Sequence, residues 1–144
     1  MKLWQLEAEL QKLDDYASSG IAKPELEQYS TSPKIAAAML YAIDCSYGDL
    51  DGKVVGDLGC GGGVLGIGAI LLGAAHVIGV ELDSEAIAMA RENCERVGVG
   101  MEIICADVRK LPVATRTVPS SGGKKERRDS DTETKEEEEE KEDE

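Results

Sequence analysis

The sequence predicts an α/β fold of Rossmann type, incomplete, with about three parallel strands preceded by N-terminal helices. Three observations carry that reading. From Gly52 onward, short runs rich in Val and Ile alternate with helical stretches. A glycine-rich turn, Gly59-Cys60-Gly61-Gly62-Gly63, runs straight into one of those helices. Acidic residues (Asp57, Glu81 and Asp107) stand at or just past the ends of the three strand runs.

Each element has its own signal. Leu3, Leu6, Leu10 and Leu13 recur at helical spacing and predict an amphipathic helix over 2–16. A loop containing Gly20 and Pro24 follows. Ser32-Pro33 opens a second helix, with serine as N-cap and proline at the first helical position. Its apolar face is expected to use Ile35, Ala36, Met39, Leu40 and Ile43. Residues 54–58 read as a buried strand, and residues 64–72 as a helix ended by Gly73. Residues 76–80 form the second strand, which leads into Glu81. A third helix over 84–97 carries an Ala86, Ala90, Cys94 stripe and stops at Gly98. The sole asparagine, Asn93, lies in that helix. Residues 101–105 make the third strand, with Asp107 just beyond.

Composition divides the 144 residues into three parts. Residues 1–50 are a helical segment covering the ligand site, and 51–118 a partial Rossmann-like domain. Residues 119–144 contain no Val, Ile, Leu, Met or aromatic side chain, and they concentrate the acidic excess behind the net charge of −13. Such a segment cannot bury enough apolar surface to offset its ordering entropy, so a disordered acidic tail is expected. Within it, Lys124-Lys125-Glu126-Arg127-Arg128 is a weak nuclear-import cluster. The four cysteines show no CxxC pairing, and His76 is the only histidine, which disfavours a zinc site or disulfide framework. A reducing intracellular compartment, cytoplasmic and/or nuclear, fits best. The longest apolar stretch, 64–80, is broken by glycines and His76, so no membrane span is expected.

The candidate chemistry sits at the strand ends. Glycine at alternate positions of the turn lets a ligand approach the main chain closely, and the following helix turns free N–H groups toward the same space. Glu81 can accept hydrogen bonds from both hydroxyls of a ribose, and Asp107 is placed to meet an adenine amine. Together they describe an adenosine-containing ligand. Gly61-Gly62-Gly63-Val64-Leu65-Gly66 also satisfies G-x-G-x-x-G, which leaves a dinucleotide such as NAD open. Asp57 favours S-adenosylmethionine instead, because a carboxylate suits its cationic amine and repels a pyrophosphate.

Glu27-Gln28-Tyr29-Ser30-Thr31, followed by Asp57-Leu58-Gly59-Cys60-Gly61 and Gly63-Val64-Leu65, resembles the methyltransferase-like protein 5 family of ribosomal RNA adenine-N6 methyltransferases. The resemblance spans nearly all of residues 1–111. It implies a class I S-adenosylmethionine-dependent fold, with donor contacts on Gln28, Thr31, Gly59, Gly62, Val64, Glu81 and Asp107. The residue-level reading adds Asp57 and Gly61. The resemblance further implies ribosomal RNA as substrate and a small zinc-binding activator subunit as partner. Ser30 stands where the family usually has proline, and Gly62 where it has cysteine.

The family's Asn/Asp-Pro-Pro-Tyr/Phe motif, which holds the target base, does not occur here, since no two of the four prolines are adjacent. No catalytic residue is therefore assigned. The expectation is a truncated donor-binding methyltransferase, inactive alone. The alternatives are a non-enzymatic module or decoy for the activator, and an NAD-type oxidoreductase fragment. In the family's sheet the first strand is central, so residues 54–58 are expected to form an exposed edge beside a bare apolar face. Low stability follows, and the unligated chain should melt below ~60 °C by calorimetry.

Overall fold

The computed structural model describes residues 1–21, 23 and 28–112. The acidic tail expected over 119–144, and Glu27 of the distinctive pentapeptide, lie outside the described residues. The elements run α1 (Leu3–Leu10), α2 (Tyr16–Ser19), α3 (Pro33–Tyr47), β1 (Val54–Leu58), α4 (Val64–Leu71), β2 (His76–Glu81), α5 (Ser84–Val97) and β3 (Glu102–Cys105). A short 3-10 turn, Val108–Lys110, follows β3.

The three strands are parallel in the order β1-β2-β3. Both crossover helices pack on the sheet face that carries Val55 and Val77, where α1 and α3 join them in one apolar core. Leu6, Leu10, Ala36, Ala37, Leu40, Ile67 and Val77 form its centre. Gly66 admits this close layering. A Cβ there would lie 2.5 Å from the Met101 sulfur and 3.2 Å from Val77 Cγ1.

The opposite sheet face carries no helix among the described residues. Pairing places Val54, Leu58, Ile78, Val80 and Ile104 on it. Val54 and Leu58 are 70% and 65% exposed. Residues 54–58 are thus not buried as their composition alone suggested but form the exposed edge expected for this strand, and Val54 and Leu58 face out because, among the described residues, one flank and one face have no partner.

Two helix readings need correction. The helix expected over 2–16 ends as α1 at Leu10, and a separate short helix begins at Tyr16 behind an Asp15 N-cap. The break has a cause on α5. Asn93 accepts from the Asp14 N–H (2.8 Å) and donates to the Asp14 carbonyl (2.9 Å), so this peptide pairs with a side chain instead of its own helix. Arg96 holds the Lys12 carbonyl (3.0 Å) and the Asp14 carboxylate (2.6 Å) in the same way. The second helix begins as expected, with Ser32 Oγ accepting from Ile35 N–H, but it is rotated. Ala36, Ala37 and Leu40 face the core, whereas Ile35 is 62% exposed and Met39 is also outside. Alanines let α3 approach α1 closely, where Ile35 and Met39 would hold the helices apart.

Asn93 is fully buried and donates to the Gly62 carbonyl as well (2.9 Å). Replacing it by alanine removes the side-chain partner of three part-buried backbone groups. Asn93→Ala should therefore lower stability by about 3 kcal/mol in urea unfolding, and a loss under about 1 kcal/mol would contradict the clamp.

Candidate functional site

A cavity of about 320 Å³ opens between the C-terminal ends of β1 and β2 and the N-terminal segment. Its walls include Leu13–Tyr16, residues 28–31, Asp57 with the glycine turn, Val64 and Leu65, Glu81-Leu82, and single side chains from α1, α3 and α5 (Leu10, Pro33 and Met89). Of the nine residues expected to hold a ligand, Gln28, Thr31, Asp57, Gly59, Gly61, Gly62, Val64 and Glu81 line it. Asp107 does not. It caps the 3-10 turn, accepting from Arg109 N–H (3.0 Å) and from the Arg109 guanidinium (2.9 and 2.8 Å). The Arg109 pairing holds its carboxyl at about 2.

The chain folds this way locally because the strand-end carboxylates organise the glycine turn. Asp57 Oδ2 accepts from the Gly66 N–H (2.9 Å), which satisfies one of the free donors in the first turn of α4. Glu81 Oε2 accepts from the Gly61 N–H (2.9 Å), and its Oε1 accepts from Leu82 and Asp83 N–H (2.7 and 2.9 Å). Gly61 lies at φ 53°, in the left-handed region, and a side chain there would meet the Tyr16 hydroxyl at 2.8 Å. The turn's glycines therefore serve the protein's own packing as well as any ligand.

Electrostatics define the cavity further. Its walls include Asp14, Asp15, Asp57 and Glu81 and, among the described residues, no lysine, arginine or histidine. Burial pushes the Asp57 carboxyl above its ordinary range against the opposing Gly66 hydrogen bond. Burial, then Asp57 and Glu81, push the Cys60 thiol up to about 12, so it is a packed thiol and not a nucleophile. Its sulfur fills the space above Gly79.

Three residues of this region carried no functional reading from sequence. Tyr16 is buried against the turn, and burial with the Glu81 and Asp83 carboxylates pushes its hydroxyl up to about 12. Asn93 ties Asp14 to Gly62 across the cavity's far end. Asp83 N-caps α5 and binds Lys23 and Gln28. Asn93 did leave a signal, since it follows Ala90 by three positions and so falls on the apolar stripe of α5.

Residues 36–118 match the family model described as ribosomal protein L11 methyltransferase (PrmA). The chain belongs to that methyltransferase family. It is also homologous to the rRNA N(6)-adenosine-methyltransferase METTL5 of Danio rerio, 42% identical over 109 residues, 75% of this chain and 51% of that protein. A Pyrococcus horikoshii structure assigned as an RNA methyltransferase aligns with TM-score 0.67 and 39% identity, over 76% of this chain and 53% of the other. The RNA methyltransferase of Salinibacter ruber in complex with S-adenosyl-L-homocysteine aligns with TM-score 0.51 and 28% identity, over 58% and 53%. The chain spans about half the length of the curated relatives it matches. The resemblance read from Gln28-Tyr29 and the glycine turn is thus a family relationship, and the Rossmann-like fold is that of S-adenosylmethionine-dependent methyltransferases. Among the described residues no helix is long and apolar enough to cross a membrane.

The Tyr16 shift has a pH signature. A hydroxyl raised above its unfolded value of ~10 contributes stability that is complete below pH ~10 and is lost as pH rises through about 12. Tyr16→Phe should flatten the fall in Tm between pH 10 and 12, and an unchanged slope would place Tyr16 in solvent.

Proposed function

We propose that these residues form the S-adenosylmethionine-binding half of a ribosomal RNA adenine-N6 methyltransferase. The observation that carries this is the cavity's charge. Asp14, Asp15, Asp57 and Glu81 line it, Asp14 already paired with Arg96, and no lysine, arginine or histidine among the described residues does, which suits a sulfonium with an ammonium and leaves a pyrophosphate without a partner. The NAD reading is disfavoured on the same ground.

In this reading Asp57 holds the methionine ammonium and the glycine turn presents main chain to the ligand. Glu81 keeps lone pairs beyond its three backbone bonds for the ribose hydroxyls. Thr31 and the Gln28 segment close the N-terminal side. Asp107 meets the adenine amine once its Arg109 pair opens. The bound donor supplies an electrophilic methyl group.

The substrate class, ribosomal RNA, rests on homology to rRNA methyltransferases. The partner proposed with it is the small zinc-binding activator implied by that resemblance, and the outer edge of β3, which has no partner strand among the described residues, supports a docking place for it.

Calorimetric titration with S-adenosylhomocysteine, with NADH as control, tests the donor reading. Saturable binding is expected for the former alone. Glu81→Ala, with far-UV circular dichroism retained, should weaken it at least about tenfold, the scale of a lost charge-assisted hydrogen bond. Binding of NADH alone would sink the proposal.

A further inference from the structure

Asp83 lies at the start of α5, 6% exposed, and it is the most buried carboxylate near the cavity rim. One oxygen, Oδ1, accepts from the Glu85 N–H (3.1 Å) and from the Lys23 ammonium (2.8 Å). The other, Oδ2, accepts from Gln28 Nε2 (2.7 Å). Gln28 Oε1 in turn accepts from the Lys23 backbone N–H (2.8 Å). Asp83 donates its own N–H to Glu81 Oε1, so the chain of bonds reaches the proposed ribose carboxylate.

We propose that Asp83 is a positioning residue for the donor site, acting through Gln28. The argument is one of hydrogen-bond polarity. An ionised carboxylate only accepts, and a backbone N–H only donates. Between them the Gln28 amide fits in one orientation, nitrogen toward Asp83 and oxygen toward Lys23. With both ends of the amide engaged, Gln28 serves the donor by fixing where residues 28–31 stand on the cavity wall. The Lys23 ammonium, shared between Asp83 and Glu85, keeps Asp83 ionised despite its burial, and the hydrogen bonds from Lys23 and Gln28 draw its carboxyl below the ordinary range. This inference rests on the donor reading and deepens it.

Asp83 is also the helix cap, so the test must separate the two roles. Asparagine caps a helix about as well as aspartate, but one of its two polar atoms donates. In Asp83→Asn that NH2 faces either the Gln28 nitrogen or the Lys23 and Glu85 donors, and the single orientation is lost. The experiment uses the full chain and the variants Asp83→Asn, Gln28→Ala and their combination. It measures S-adenosylhomocysteine affinity by calorimetry and backbone exchange by NMR.

Asp83→Asn should weaken binding about tenfold. It should speed exchange of the Lys23 N–H while the Asp14 N–H, held by Asn93, stays protected. In the Gln28→Ala background the same change should add less than about threefold, because the two residues act as one unit. Affinity within about twofold of wild type, or full additivity in the double variant, would overturn the positioning role and leave Asp83 a cap alone. If the unaltered chain fails to bind, the donor reading falls and takes this inference with it. Binding by wild type with an indifferent Asp83→Asn removes this inference only.

Discussion

The amide of Asn93 joins the two segments between which the cavity lies. Its oxygen takes the Asp14 N–H, and its nitrogen takes the carbonyls of Asp14 and Gly62. Only a neutral amide can do this, because the three partners include both a donor and acceptors. Aspartate in its place would set a carboxylate against two carbonyls, and leucine would leave all three groups unpaired. Helix α5 is thus a rack. Its N-terminus holds residues 23 and 28 through Asp83, its middle holds Asp14 through Asn93, and its last turn holds Lys12 through Arg96. The N-terminal segment crosses the strand ends because of these anchors, and α1 and α3 fill the core behind it.

A rim of carboxylates is costly to assemble. Asp57 and Glu81 each raise the electrostatic cost of ionising their neighbours, as the Tyr16, Cys60 and Asp57 shifts record. Backbone N–H groups offset part of that cost, and the glycine turn supplies them by leaving its main chain open. A cationic ligand would offset more. Perturbed groups gathered in one concave site are the usual mark of function, and here burial raises Tyr16, Asp57 and Cys60 while the Arg96 pairing lowers Asp14.

Much of this arrangement was legible in the residues alone. The strand and helix alternation fell where periodicity and glycine stops placed it, with α5 ending at Gly98 and α3 starting at Ser32. Six of the eight expected ligand residues that line the cavity do so because strand ends and a glycine turn are local features, bound to the register of the sheet, whereas Gln28 and Thr31 were legible only through the family resemblance. What periodicity could not reveal depends on tertiary contact. Ile35 and Met39 fit the apolar stripe of α3 as well as Ala37 does, and only the close approach of α1 selects the alanines. The leucine spacing runs on past Leu10, yet Asn93, distant in sequence, stops the helix there. Asp107 was read from its strand-end position, whereas its local partner Arg109 decides where the carboxylate points.

The anchors on α5 also set an order of events. Asp14 and Asn93 are 79 positions apart, and closing so long a loop is entropically slow compared with forming a helix or a neighbouring strand pair. As the chain leaves the ribosome α1 can already pack on α3 and α4, but Lys12 and Asp14 lack their anchors until α5 has been made and laid on the sheet. The glycine turn and its two carboxylates can therefore form early and stand open, while the wall that covers them arrives last.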